Sequence, residues 1–436
     1  LILIFTVALQ LTGISLLTTY AILKRYRVLK RVPIDDIGIF WILVFALYST
    51  LPGLFWLFQG GEYTFLNYRL FNLGTKPEDM VYLLNLSLVC LFFFILGNNI
   101  FLKNNVSELS PVESSISLPT VLAAIFIILF NICLSIFFGS FGLTQETSNY
   151  AESYAVTQNL PLGLRQLSKL LSGFDFISWI VLNVYLFKNY KQNRKYIIFL
   201  ALFYIFLNLG GARSPIFFYV FSLIVLRHYF VKPLSINSTI MLGIFGILAF
   251  LLFGILRGLS GEFIISGVGE FDMLWGNAVE LLHEKQSNGL DVPAWLRYSD
   301  FYGFIPSQLL WFEKNTLSVW FMQEFYPRYI ELGVGFSFGI LSEMVIGYGL
   351  IDAMVRGFFL GSFLSLLMNF FRKANNSWWI MPLHLILLIN AVLLVRDTSF
   401  RLIIDIIQLY IPALIFMFIL GRVLSIPLIL SRNKYK

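Results

Sequence analysis

The sequence predicts an all-α polytopic membrane protein, with about eleven transmembrane helices and one large loop on the outer side. Two observations predict this class. Of the 436 residues, 58% are hydrophobic and only 13% are charged, and runs of about 20 apolar residues recur along the chain, each long enough to cross ~30 Å of hydrocarbon. A soluble protein of this composition would expose too much apolar surface. A transmembrane β-barrel would show short alternating segments instead.

The eleven expected spans follow the apolar runs in order. They cover residues 1–23, 36–58, 80–102, 118–139, 166–187, 196–211, 214–230, 237–256, 350–371, 378–395 and 401–425.

Basic residues predict the orientation of these spans. Eighteen Lys and Arg residues lie after alternate spans or in the C-terminal segment, on one side of the membrane. Eight lie on the other side, not counting those of the long loop. Because short cytoplasmic loops carry the excess of Lys and Arg, we expect the N-terminus outside and the C-terminus in the cytoplasm. The long loop is then extracytoplasmic.

Three parts of the chain follow from this arrangement. Residues 1–256 hold spans one to eight, and residues 350–436 hold spans nine to eleven. Residues 257–349 form the large loop. Its stretch 257–335 carries ten acidic, five basic and fifteen aromatic residues, which is too polar for hydrocarbon. Residues 336–349 are apolar but too short to span, and they predict an interfacial or re-entrant helix.

Composition also argues against several classes of site. Cys90 and Cys133 both lie inside apolar runs, which indicates small buried side chains and no disulfide framework. Three histidines are too few and too scattered to predict a metal cluster. The net charge of +7 reflects basic residues at helix ends, so it indicates topology and no nucleic-acid partner. Glycine-rich nucleotide-binding motifs do not occur, and we expect no cofactor.

Several arginines on the predicted outer side are candidates for anion binding. An arginine near the membrane is costly unless it is paired or lines a wet cavity, and guanidinium groups match phosphate oxygens well. The arginines at span ends are Arg213, Arg257, Arg356, Arg396 and Arg401. They either converge on a diphosphate or anchor helix ends among lipid head groups.

Acidic and aromatic residues of the loop region offer further candidates. Glu343 lies in an apolar stretch, where a carboxylate needs a partner, so it is either a general base or the ion-pair partner of an arginine. His283 is the single histidine expected on the extracytoplasmic side, and it is either a general base or a residue of an exposed helix. Trp275, Trp295 and Tyr302 provide either flat surfaces for sugars or contacts with the membrane interface.

Four stretches resemble the oligosaccharide repeat-unit polymerases, that is, O-antigen polymerases of the Wzy type. They are LNLGGARSPIFFYVFSLIVLRHYF at 207–230, FYGFIPSQLLWFEKN at 301–315, GFSFGILSEMVIGYGLIDAMVRG at 335–357 and VRDTSFR at 395–401. The polar, tyrosine-containing segment 148–167 is similar to a loop that precedes the fifth span in such proteins.

The resemblance implies a metal-independent glycosyltransferase of the bacterial inner membrane, with its site on the periplasmic face. It would transfer a growing glycan from undecaprenyl diphosphate to a new lipid-linked repeat unit. Its implied partners are these donor and acceptor lipids, membrane lipids and a polysaccharide chain-length regulator. The residues assigned to the diphosphate are Arg213, Arg257, Arg396, Arg401 and Arg297. Those assigned to catalysis are Glu343 and Arg257, and those assigned to sugar binding are Trp275, Trp295, Tyr302 and Tyr150.

Two other functions remain open from the sequence. An O-antigen ligase would use similar substrates, but residues 336–343 lack the histidine that those enzymes carry there. A lipid-linked oligosaccharide flippase would favour charges at the bilayer midplane, inverted repeats and broken helices, and the predicted spans show few such charges and no repeat.

Overall fold

A computed structural model describes the protein over most of its length. The described residues are 2–60, 64–65, 73–101, 116–140, 162–208, 213–258, 269–287, 289–290, 292–297, 299–302, 305, 316–327, 338–373, 377–399 and 401–433.

In the first part of the chain, the described residues form helices and one two-stranded ribbon. Its strands, β1 and β2, pair antiparallel with Thr64 opposite Gly74. The elements are α1 (Ile2–Leu29), α2 (Ile37–Phe58), β1 (Thr64–Phe65), β2 (Leu73–Gly74), α3 (Pro77–Phe101), α4 (Leu118–Ser140), α5 (Leu162–Lys188), α6 (Tyr190–Asn208), α7 (Arg213–Phe230) and α8 (Ile236–Gly258).

The second part contains both long and short helices. They are α9 (Gly269–Ser287), α10 (Ala294–Arg297), α11 (Ser299–Tyr302), α12 (Leu317–Phe325), α13 (Ile340–Ile346), α14 (Leu350–Lys373), α15 (Ile380–Asn390), α16 (Leu393–Arg396), α17 (Arg401–Asp405) and α18 (Ile411–Asn433). A π-helical segment, Ile406–Tyr410, joins α17 to α18.

Among the described residues, five helices are long and apolar enough to cross a membrane. They are Ile2–Leu29, Ile37–Phe58, Pro77–Phe101, Leu350–Lys373 and Leu402–Ser425. Large apolar side chains point outward on several helices, such as Phe206 on α6 and Ile351 on α14, as expected where lipid replaces water around a helix. The predicted class, an all-α membrane protein, agrees with these helices. A helix lies at each of the eleven predicted positions, but the number that cross the membrane stays a prediction.

Among the described helices, α3 and α14 make the most extensive contact. A Cβ atom on Gly97, Gly357 or Gly361 would overlap a backbone carbonyl oxygen of the opposite helix. Gly357 and Gly361 are four residues apart on one face of α14, which is the spacing that lets two helix backbones approach within a membrane. The absence of side chains at these positions therefore sets the distance between the two helices.

Polar side chains fix the register of this pair. The hydroxyl group of Ser365 donates to the backbone oxygen of Asn98 across 2.8 Å and also bonds the Asn98 amide oxygen. One turn further on, the amide of Asn369 donates to the Phe101 carbonyl across 2.7 Å. Since hydrogen bonds between helices satisfy groups that lipid cannot satisfy, they specify one alignment.

This alignment shows that α3 and α14 run in the same direction. Cys90 and Phe94 meet Gly357 and Gly361 in the same order along both helices. If both helices cross the membrane, an odd number of crossings must separate them. The five spans predicted at α4 to α8 have this parity.

The ends of α1, α2 and α14 meet in a buried charge cluster. Arg25 Nε donates to Asp36 Oδ2 across 2.6 Å, and Arg372 Nη2 lies 3.7 Å from the same oxygen. Asp36 also caps α2, because its Oδ1 accepts the backbone N–H of Ile39. The cluster lies at the opposite end of α14 from the loop helices.

The region 257–349, predicted as a large loop, contains the helices α9 to α13 among its described residues. Helix α9 contacts α2, α3, α13 and both strands. Its Trp275 is fully buried and donates from Nε1 to the Tyr48 carbonyl across 2.8 Å. The short helix expected within 336–349 is present as Ile340–Ile346, with all seven residues buried. The division of the chain into three parts, and the side on which this region lies, stay predictions.

Candidate functional site

A cavity of about 570 Å³ lies where α3, α9, α10 and the start of α14 meet. It is lined by Tyr82, Lys285, Arg297, Gly347, Tyr348, Gly349, Leu350 and Ile351. Two of these side chains are cationic and two are tyrosines. The cavity therefore combines positive charge with aromatic and apolar walls.

Lys285 holds the end of the short helix α13. Its Nζ donates to the carbonyl oxygens of Val345 across 2.7 Å and Gly347 across 3.2 Å. The last carbonyl groups of a helix lack partners within the helix, so a cation there satisfies them. Burial lowers the pKa of Lys285, and the nearby Arg297 lowers it further, while Asp352 opposes the change. The ammonium group has three N–H donors, and these contacts use two.

Arg297 has a buried donor that finds no acceptor in the part of the chain that the structure describes. Its guanidinium carbon lies 5.7 Å from the ring centroid of Tyr348, which is a cation–π contact. Its Nε is buried and finds no hydrogen-bond partner among the described residues. Because buried polar groups are normally satisfied, an unpaired guanidinium donor at a cavity wall suits an anionic ligand.

Two glycines lie in the turn between α13 and α14. Gly349 has φ of +61°, and a Cβ there would lie 2.6 Å from the hydroxyl oxygen of Tyr82. A Cβ on Gly347 would lie 2.8 Å from the carboxylate of Asp352. The positive φ favours glycine at position 349, and the absence of a side chain at Gly347 leaves room for Asp352.

An ion-pair network supports this turn. Arg356 Nε donates to Asp352 Oδ2 across 2.6 Å, and its Nη1 donates to Glu343 Oε2 across 3.0 Å. Glu343 also accepts the backbone N–H of Ser399, at 3.1 Å from Oε2, and the Ser399 hydroxyl group. The network joins α13, α14 and the segment before α17.

The contacts of Glu343 bear on its two predicted roles. Its side chain has no exposed surface, and its oxygens accept from Arg356 and from Ser399. The structure contains the contact that the second role predicts, an ion pair between Glu343 and an arginine. Arg356 is the partner. The role of Glu343 as a general base stays a prediction.

The arginines predicted to bind the diphosphate differ in what the structure describes of them. Arg297 lines the cavity. Arg396 is half-buried at the end of α16, outside the residues that line it. Arg213 begins α7, Arg257 lies at the end of α8 and Arg401 begins α17, but their side chains lie outside the described part of the structure. Their convergence on one anion stays a prediction.

The aromatic residues predicted to bind sugar also differ in what the structure describes of them. Trp275 is fully buried and hydrogen-bonded to α2, so the structure places it in the core and not on a sugar-binding surface. Trp295 is 49% exposed and lies two residues before Arg297. Tyr302 is half-buried at the end of α11. Tyr150 lies outside the described residues.

Sequence reasoning missed Lys285, Tyr82 and Tyr348 as cavity residues. Lys285 follows Glu284 in a polar helix, where a single lysine is typical of a solvated face. The two tyrosines lie 266 positions apart in the sequence. Among the described residues, no group of three or more His, Cys, Asp or Glu side chains could hold a metal ion. Comparisons with family models, curated proteins and solved structures give no match.

Proposed function

We propose that the protein is a membrane-embedded glycosyltransferase that polymerises lipid-linked oligosaccharide units, as O-antigen polymerases do. One observation carries the proposal. The cavity places Lys285 and Arg297 beside exposed apolar residues, Leu350 and Ile351, at the first turn of a helix long enough to span a membrane. An anionic head group and an apolar tail would therefore find adjacent surfaces.

The cavity suits a diphosphate that is attached to a lipid chain. Its volume of about 570 Å³ lies within the range of ligand pockets, roughly 300–1,000 Å³. Lys285 and the unpaired Nε of Arg297 supply donors for phosphate oxygens. Ile351 is 64% exposed, so a polyprenyl chain would leave the cavity along α14 into the bilayer.

The same charges support the chemistry of glycosyl transfer. Negative charge develops on the diphosphate as the bond between the sugar carbon and the phosphate oxygen breaks. Fixed cations in a partly buried site stabilise that charge and so lower the barrier. Because undecaprenyl diphosphate is the leaving group, the donor carries its own activation.

The proposed setting rests on the predicted orientation of the spans and on the resemblance to O-antigen polymerases. The protein would lie in the bacterial inner membrane, with the cavity on the periplasmic face and the C-terminus in the cytoplasm. Donor and acceptor would be undecaprenyl-diphosphate-linked oligosaccharides, and a polysaccharide chain-length regulator would be a further partner.

The test is reconstitution of the purified protein in nanodiscs with undecaprenyl-diphosphate-linked repeat unit from the producing strain. We expect a ladder of longer lipid-linked glycans, formed without nucleotide sugar and also in the presence of a chelator. Replacing Lys285 and Arg297 together by glutamine should abolish the ladder, while the exposed Gln286→Ala serves as the control.

Other outcomes would contradict the proposal. Absence of any ladder with the wild-type protein would overturn it. Transfer of a glycan to lipid A–core without chain extension would identify a ligase. Movement of intact lipid-linked units across a vesicle membrane, without new glycosidic bonds, would identify a flippase.

A further inference from the structure

A histidine–aspartate pair lies at the interface between α3 and α9. His283 Nε2 is 2.7 Å from Oδ2 of Asp79. Asp79 lies in the first turn of α3, its side chain is 3% exposed, and its Oδ2 also accepts the backbone N–H of Lys76 across 3.1 Å. A helix N-terminus favours negative charge, so the aspartate is held in place as an acceptor.

The contact with Asp79 fixes the proton on the imidazole ring. A carboxylate only accepts hydrogen bonds, so Nε2 of His283 carries the N–H, and Nδ1 of the neutral ring keeps its lone pair. The His283 side chain is 27% exposed. Both other histidines of the chain, His228 and His384, are fully buried. His283 is therefore an oriented imidazole that solutes can reach.

The pair lies on two helices that also carry walls of the cavity. His283 precedes Lys285 by two residues on α9, so the two side chains leave the helix on different faces. Asp79 precedes Tyr82 by three residues, so both lie on one face of α3. Lys285 and Tyr82 are both cavity residues. The two elements that carry the pair thus also carry a cationic wall and an aromatic wall of the cavity.

We propose that His283 is the general base of the transfer reaction and that Asp79 is its positioning residue. This inference rests on the proposed function. An acceptor-sugar hydroxyl oxygen would attack the anomeric carbon of the donor glycan, forming the new glycosidic bond. Its proton would pass to Nδ1 of His283. The bond from the anomeric carbon to the diphosphate oxygen would break, and undecaprenyl diphosphate would leave with the electron pair. The imidazolium ion then returns its proton to water.

The first experiment measures chain extension by the purified full-length protein with undecaprenyl-diphosphate-linked repeat unit. We expect His283→Gln to slow extension by about 10²–10⁴-fold, the usual contribution of a general base. His283→Ala should be partly rescued by added imidazole. Asp79→Asn should be slow, and Asp79→Glu should restore part of the rate, since a carboxylate can still orient the ring. Gln286→Ala, an exposed neighbour on α9, serves as the control.

A second measurement does not depend on turnover. Diethyl pyrocarbonate modifies accessible imidazoles, and mass spectrometry locates the adduct. We expect His283 to be modified while His228 and His384 are not, and we expect the lipid-linked repeat unit to protect His283.

The outcomes separate this proposal from the proposed function. If the wild-type protein extends glycans but His283→Gln does so at the same rate, the dyad proposal fails alone. A slow His283→Ala variant that imidazole does not rescue, with no protection of His283 by the lipid-linked unit, indicates a purely structural pair and also overturns the proposal. If the wild-type protein extends nothing, both proposals fail together.

Discussion

Arg356 on α14 donates to Glu343 on α13 across 3.0 Å, and the Glu343 side chain has no exposed surface. Removing one partner of a buried ion pair leaves an uncompensated charge and typically costs about 3–5 kcal/mol. We expect Glu343→Gln to lower thermal stability in detergent, measured by fluorescence-detected size exclusion, and to reduce polymer formation as a consequence.

A double-mutant cycle distinguishes this role from that of a base. If the two residues act as a pair, Glu343→Gln combined with Arg356→Met should be less destabilised than the sum of the two single variants. A Glu343→Gln protein with wild-type stability but no activity would instead favour a catalytic carboxylate.

Lys285 predicts a specific pH dependence of anion binding. Burial and Arg297 lower its pKa, so its charge is lost at a lower pH than that of an ordinary lysine as the pH rises. As the pH rises, binding of undecaprenyl diphosphate should therefore weaken at a lower pH than it would if Lys285 had the pKa of a free lysine. Lys285→Arg should remove this limb, because arginine stays charged. An identical pH profile for both proteins would show that Lys285 does not bind the anion.

Arginines at the predicted outer span ends form another test. We expect Arg213→Ala and Arg257→Ala each to abolish long polysaccharide, because each would remove a cation from the diphosphate. Membrane insertion should be normal. Arg422→Ala, at an exposed position on α18, is the matched control at the predicted cytoplasmic end. Polymer of wild-type length from both test variants, separated on a surface-polysaccharide gel, would contradict the assignment.

Replacing glycine by alanine should have different effects inside and outside the contact between α3 and α14. A Cβ at Gly361 would overlap the Phe94 carbonyl oxygen, whereas nothing lies within 4 Å of a Cβ at Gly243. Gly361→Ala should destabilise the protein by about 1–3 kcal/mol, as overpacking does. Gly243→Ala, within α8, should be neutral or slightly stabilising, since alanine is the better helix former. Equal melting temperatures for the two variants would contradict this account of the helix contact.

Trp275 and Trp295, two of the tryptophans in the region 257–349, should have different effects on stability and on sugar binding. Trp275→Phe removes the hydrogen bond to Tyr48 and should cost about 1–3 kcal/mol, because the Tyr48 carbonyl is left without its donor. Trp295→Phe, at a half-exposed position, should leave stability unchanged. If Trp295 stacks on sugar, Trp295→Ala should raise the acceptor concentration needed for half-maximal extension. A Trp275→Phe protein of wild-type stability would contradict the stabilising role of the hydrogen bond from Trp275 to the Tyr48 carbonyl.

Hydropathy predicts where the helices are but not which helices touch. Apolar runs place α3 and α14 correctly, yet lipid-facing and helix-facing apolar residues look alike in a sequence. Gly357 and Gly361 give a pairing signal, but the partner helix, more than 250 residues earlier, carries only Gly97 in return.

The cavity is predictable in part for a similar reason. Arg297 is assigned to the diphosphate through the resemblance to the repeat-unit polymerases. Lys285 and Tyr82 have no such assignment, because a lysine in a polar helix and a tyrosine in a span each have an ordinary interpretation. Trp275 was misplaced because an aromatic residue in a polar loop does not reveal which side of its helix is covered.

The π-helical segment Ile406–Tyr410 has a consequence for every spacing counted across it. Such a segment is a single-turn bulge within an otherwise α-helical run, so residues on either side that share a face are separated by one position more than α-helical periodicity expects. A helical wheel drawn from Arg401 to the end of α18 assigns the later residues to the wrong face. Deleting one residue within the bulge would restore a regular helix while leaving both flanking segments where they are.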